Sequence, residues 1–141
     1  MARPASPREL NVTAPTPTRP LRILIADDNR DAADSLRELL LLAGHAVEVC
    51  YDGDDAAPLA EAFHPDVCIL DLWMPVTGWE AARRLREWAG ERPLLLLALT
   101  GLPKVEPISE RAGFDAHYLK SSDPKDLVAA LADYASRSHA Y

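Results

Sequence analysis

Cysteine is scarce in this chain: two residues in 141, Cys50 and Cys68, at no spacing that suits a zinc site or a redox pair. Both fall in runs that read as strands, so they are expected to be buried small hydrophobes. The four histidines, His45, His64, His117 and His139, also lack metal-ligand spacing. Long apolar runs are missing as well. The longest, Leu94 to Leu99, has strand length and falls far short of the roughly 18 residues that span a bilayer, so no membrane partner is expected. No apolar signal core opens the chain. These absences together suit a reducing cytoplasm. Basic residues are outnumbered, 15 against 22, for a net charge of -7. Residues 1–22 carry Arg3, Arg8, Arg19 and Arg22 against Glu9, a net of +3, which leaves -10 for the rest. An acidic globule has no footprint for direct nucleic-acid binding and suits a divalent cation or a basic partner.

What is present divides the chain in two. Prolines 4, 7, 15, 17 and 20 mark residues 1–20 as an extended, disordered leader or linker. Its Arg, Ser and Thr content is also that of a transit peptide, a reading the prolines oppose. Residues 21–141 read as one domain, with no room for a DNA-binding domain beside it. Short apolar runs alternate with helical periodicity there. Strands are expected over 21–26, 47–51, 66–70, 94–99 and 116–119. Helices are expected over 31–43, from about Ala56 to Phe63, over 78–89, and from an Asp123 cap with Pro124 in the first turn to about Ser136. Pro103 and Pro107 leave only a short helix, Ile108 to Ala112, before the last strand.

Five βα units of this kind predict a doubly wound, five-stranded parallel sheet with helices on both faces. The flavodoxin-like order 2-1-3-4-5 opens a crevice at the carboxyl ends of strands one and three. It also separates Cys50 from Cys68 by two strand spacings, roughly 10 Å, which is beyond the reach of about 7 Å between Cα atoms that a disulfide allows.

That edge is where the chemistry collects. Asp27 and Asp28 follow strand one, Asp71 ends strand three, Thr100 follows strand four and Lys120 follows strand five. Three carboxylates offer hard oxygen donors to Mg²⁺. A carboxylate beside such a cation is also a nucleophile toward phosphorus. Lys120 and the Thr100 hydroxyl are placed to neutralise and hydrogen-bond phosphoryl oxygens. Each residue alone has a plainer explanation. Asp28 is a helix cap in that account, Asp71 a turn residue, Thr100 a strand-to-loop step and Lys120 a solvated lysine. Packing offers no reason for the set.

The stretches Ile-Leu-Ile-Ala-Asp27-Asp28-Asn, Cys-Ile-Leu-Asp71-Leu-Trp-Met-Pro75, Ala-Leu-Thr100-Gly and Ala-Gly-Phe-Asp-Ala-His-Tyr-Leu-Lys120 resemble the receiver domain of two-component response regulators, chemotaxis regulators included. The resemblance spans residue 21 to about 136. It implies that Asp71 accepts a phosphoryl group from a histidine kinase or histidine phosphotransfer protein. It implies Mg²⁺ held by Asp27, Asp28, Asp71 and the Trp73 carbonyl. It makes Thr100 and the ring of His117 a switch read by a downstream protein, with a second copy of the chain as another partner. The chain would accept a phosphoryl group without being a turnover enzyme; a small phosphohydrolase is disfavoured because no substrate pocket is evident. Four departures stand out: Ser121 follows the lysine where the family usually has proline, the Pro75–Gly78 turn is one residue short, residues 101–107 are proline-rich, and Trp73 is large. They motivate an alternative, a receiver-fold binding module without phosphorylation-driven switching.

Overall fold

The computed structural model describes residues 19–74, 77–101 and 113–139. Most of the expected leader, Pro75, Val76 and the short helix expected over Ile108–Ala112 lie outside the described residues. Five strands form one parallel sheet: β1 (Arg22–Ala26), β2 (Ala46–Cys50), β3 (Val67–Asp71), β4 (Leu95–Thr100) and β5 (Ala116–Leu119). Their spatial order is β2-β1-β3-β4-β5, as the sequence predicts. The described α-helices are α1 (Arg30–Leu42), α2 (Ala56–Phe63), α3 (Gly78–Ala89) and α4 (Pro124–His139), with a 3-10 turn, Gly53–Asp55, just before α2.

Strand composition explains the order. β3, Val-Cys-Ile-Leu-Asp, is buried at every position and lies in the middle of the sheet. Apolar side chains at every position need a covered surface on both faces. Leu24, Leu70, Leu96 and Ala98 point to one face and pack with α2 and α3, through Ala60, Ala82 and Leu85. Ile23, Ile25, Ile69 and Leu97 point to the other, under α1 and α4, through Leu40, Leu127 and Leu131. β5 is the exception: it is short, lies at the edge, and buries none of its four residues fully.

Local signals set the helix ends. Asn29, not Asp28, caps α1 by accepting from the Ala32 N–H at 3.1 Å, an interaction worth about 1 kcal/mol. Gly44, at φ 101, ends α1 in the left-handed region. The Thr77 hydroxyl caps α3 through the Glu80 N–H. Asp123 accepts from the Lys125 N–H at 2.9 Å ahead of Pro124, which has no N–H to satisfy. Both cysteines are buried and free, and burial pushes the Cys50 thiol up to about 11. They are inert at neutral pH.

One buried polar group makes the fold pH-sensitive. His45 Nδ1 accepts from the Leu21 N–H at 3.0 Å, so its proton is on Nε2, which has no partner among the described residues. Burial lowers the pKa of the ring. The unfolded chain takes up a proton near pH 6.5, and the folded chain resists it. His45 therefore leaves stability intact above that value and erodes it as pH falls below. Thermal melts between pH 7.5 and 5.5 should show this loss. His45→Asn, which keeps an acceptor for Leu21, should flatten it; an unchanged slope in the variant would refute the assignment.

Candidate functional site

Asp27, Asp28, Asp71, Thr100 and Lys120 stand together at the carboxyl edge of the sheet. Asp27 directly follows β1, where its N–H donates to the Cys50 carbonyl at 3.2 Å. Its Oδ1 accepts from the Asn29 N–H at 3.0 Å, which turns the chain into α1. Asp28 is exposed beside it. Asp71 ends β3, and its Oδ1 accepts from the Trp73 N–H at 3.1 Å. β1 and β3 are direct neighbours. One oxygen from each of Asp27, Asp28 and Asp71 lies within 4.8 Å of the others. Asp27 is 1% exposed and Asp71 is 4% exposed, so water does little to screen their charges.

Lys120 supplies the compensating charge from the far strand. Its Nζ is 3.0 Å from Asp27 Oδ2 and 3.4 Å from Asp71 Oδ2. The two bridges cover a sequence separation of 93 residues in the case of Asp27. Burial lowers the ammonium's affinity for its proton, yet the hydrogen bond and charge of Asp27, with those of Asp71, outweigh this and leave its pKa raised. For Asp71, burial is the largest influence and pushes the carboxyl up. The Trp73 N–H pulls it down and the Asp27 charge pushes it up again; the outcome is a raised pKa. A carboxylate pair with this strain is relieved by a divalent cation. The donors are all oxygen, as a hard ion such as Mg²⁺ prefers. The residues present fit that group.

The other expected residues sit nearby with different degrees of engagement. Thr100 is fully buried at the end of β4, one residue past the partner of Asp71, and its carbonyl accepts from the Lys120 N–H at 2.8 Å. His117 is half-buried in β5 and pairs with Ala98. It shares a sheet face with Thr100, because residues two apart along a strand point the same way. Trp73 is 51% exposed at the rim, and its ring meets Trp79 edge-on at 4.8 Å.

Three features of the edge had no place in the sequence reading. Trp79 backs Trp73, and its indole Nε1 is buried without a partner among the described residues. Gly78 brings α3 against the main chain of Asp71 and Leu72. Beside Asp27 and Lys120, a groove of about 220 Å³ runs between α1 and α4, lined by Leu36, Leu39, Tyr118 and Leu127 among others. The leucines at three- and four-residue spacing on α1 were the available signal for that groove.

Comparison with known proteins gives consistent likenesses. The family model for the response regulator receiver domain matches residues 23–132. The response regulator MprA of Mycolicibacterium vanbaalenii is 39% identical over 99 residues, covering 69% of this chain and 41% of that protein. The chain thus spans about two fifths of the length of the curated relatives it matches. A CheY-like receiver domain protein from Methanospirillum hungatei superposes with a TM-score of 0.76 at 25% identity, over 86% of this chain and 98% of that one. The chemotaxis response regulator CheY4 of Vibrio cholerae gives 0.74 at 28% identity, over 80% and 97%.

Proposed function

The chain belongs to the response-regulator receiver family of two-component signalling, and from that membership we propose that Asp71 is its phosphoacceptor. The observation that carries this reading is the meeting of Asp27, Asp28 and Asp71 oxygens within 4.8 Å, with Lys120 bridging two of them. The donor is a phosphohistidine on a kinase or phosphotransfer protein. An Asp71 carboxylate oxygen attacks phosphorus, the P–N bond breaks, and the ring nitrogen leaves with the electron pair. Asp27, Asp28, Asp71 and the Trp73 carbonyl would hold Mg²⁺, which would neutralise charge on the phosphoryl oxygens.

The remaining work belongs to the chain itself. The Trp73 N–H orients the Asp71 carboxylate through Oδ1. Lys120 then exchanges a carboxylate partner for a phosphoryl oxygen without leaving its place. The Thr100 hydroxyl donates to another oxygen, and His117 on the same sheet face follows that movement. Such a displacement transmits the signal only as a shift between two populated states. The apolar groove beside Asp27 gives a protein donor a surface next to the acceptor. Output is a protein contact, with a downstream protein or a second copy as the reader, and residues 1–20 act as leader or linker. The chain turns over no substrate of its own.

Intact mass after incubation with a small phosphodonor tests the reading. One Mg²⁺-dependent phosphoryl adduct is expected on the wild type and none on Asp71→Asn. Mg²⁺ binding without any adduct, from a small donor or from a phosphohistidine protein, would overturn it in favour of a binding module that does not switch.

A further inference from the structure

β5 carries Lys120 to the site, yet little in its own sequence fixes where it pairs. It has four residues, none fully buried, and it bonds to β4 alone. Register is strongly specified where one face is buried and weakly specified elsewhere. The partner strand adds little: β5 lies against Leu97, Ala98, Leu99 and Thr100, and a slip by one residue toward Leu96 would set it against apolar side chains alone. Such a slip would turn every β5 side chain to the opposite face and carry the ammonium away from Asp27 and Asp71.

The polar marks are supplied from α3. Arg86 Nε donates to the Gly113 carbonyl at 2.9 Å, one terminal nitrogen donates to the Leu94 carbonyl at 2.7 Å, and the other meets Asp115 Oδ2 at 2.6 Å. The same Asp115 oxygen accepts from the Leu96 N–H at 2.8 Å, while the Asp115 N–H donates to the Leu96 carbonyl at 2.8 Å. One guanidinium thus grips the approach to β4 and the approach to β5 at a fixed offset. The nearby arginines differ. Arg83 and Arg84 bond to carboxylates on their own helix and, for Arg84, to Asp54. Gly113 permits the grip: at φ +97 it has no Cβ, which would stand 3.0 Å from Arg86 Cγ.

We propose that Arg86 is a positioning residue for Lys120, locking the register of β5 on β4 through Leu94, Gly113 and Asp115. The functional half rests on the phosphoacceptor reading above; the register half does not. A rigid planar fork is required, because the bonds leave in separate fixed directions and a lysine has no such geometry.

Amide exchange and phosphorylation rates on the full chain separate the two halves. In Arg86→Met the amides of Tyr118, Leu119 and Lys120 should exchange about tenfold faster, with those of β3 unchanged. Arg86→Lys should behave likewise. Asp115→Asn, which keeps an oxygen for Leu96 but removes the anion, gives a second route if Arg86→Met folds poorly. With a small acyl phosphate and saturating Mg²⁺, Arg86→Met should be phosphorylated about tenfold more slowly, a loss of the size expected from misplacing one catalytic group. In a Lys120→Met background the same substitution should add nothing. Uniformly faster exchange across the whole sheet, unchanged β5 protection, or rate losses that multiply in the double variant would each overturn the proposal. A wild type that takes no phosphoryl group would defeat the functional reading alone, and β5 exchange would still decide the register lock.

Discussion

Alanine at Gly78 should destabilise the fold by about 3 kcal/mol, the upper end for a forced core overlap, and should slow phosphorylation of Asp71 as well. An added Cβ would sit 2.5 Å from the Asp71 carbonyl oxygen, 2.8 Å from Leu72 Cα and 3.1 Å from the Asp71 carbonyl carbon. All three are backbone atoms, so no side-chain rotation relieves the overlap. Gly78 is the first residue of α3, and its N–H donates to the Leu72 carbonyl at 3.2 Å. Its backbone is not in the left-handed region, so alanine should gain up to about 1 kcal/mol of helix propensity. The steric cost exceeds that gain. Either α3 moves off the sheet or the Asp71 main chain moves toward the site, and the second outcome misplaces the proposed phosphoacceptor. Urea unfolding measures the first effect and the phosphorylation rate the second. Gly101→Ala is the control: its Cβ would meet nothing within 4 Å among the described residues, so a change within about 0.5 kcal/mol is expected. Equal stability of the two alanine variants would show that α3 accommodates a methyl group freely.

Most of the architecture was legible because it depends on short-range pattern. Strand β3 is apolar at each position before Asp71, and only a central parallel strand accepts that composition. Once the strand order followed, Asp27, Asp28, Asp71, Thr100 and Lys120 had to share an edge. The cap of α1 was less accessible. Asp28 and Asn29 are both good capping residues, and the choice fell to Asn29. Tertiary approach was not legible at all. Gly78 reads as an ordinary glycine at the start of a helix, and nothing local reveals that Asp71 lies against it. Nothing in the local sequence sets Arg86 apart from its neighbours Arg83 and Arg84. A signal did exist in helical phase: Arg86 lies four residues after Ala82 and three before Ala89, and both are buried. A charged residue on the inward stripe must find polar partners, and this one finds two main-chain carbonyls and a carboxylate.

Removing the Lys120 charge with methionine should separate its structural role from its chemical one. Without Mg²⁺ at neutral pH, Lys120→Met should be less stable by about 2 kcal/mol, below the usual 3–5 for breaking a buried pair because the lysine side chain is one-third exposed. The loss arises because Asp27 and Asp71 would face each other with no cation between them. Burial first, and the Asp27 charge with it, already raise the Asp71 carboxyl while Lys120 is present. Removing the ammonium raises it further. A carboxyl whose pKa is higher in the folded chain destabilises that chain when ionised, so the penalty should shrink as pH falls through the folded value and the group takes up a proton. Mg²⁺ should also restore stability, by about 2.7 kcal/mol at a hundredfold excess over its dissociation constant. The phosphorylation rate should stay depressed by roughly a hundredfold, the size of loss expected when one charged donor to a reacting oxygen is removed, which is the role proposed for Lys120. Thermal melts with and without Mg²⁺, paired with single-turnover phosphorylation, measure both quantities on one variant. Rescue of stability without rescue of rate is the expected split. Rescue of both would reduce Lys120 to a charge balance for the acidic pair, and the catalytic role assigned to it would have to be abandoned.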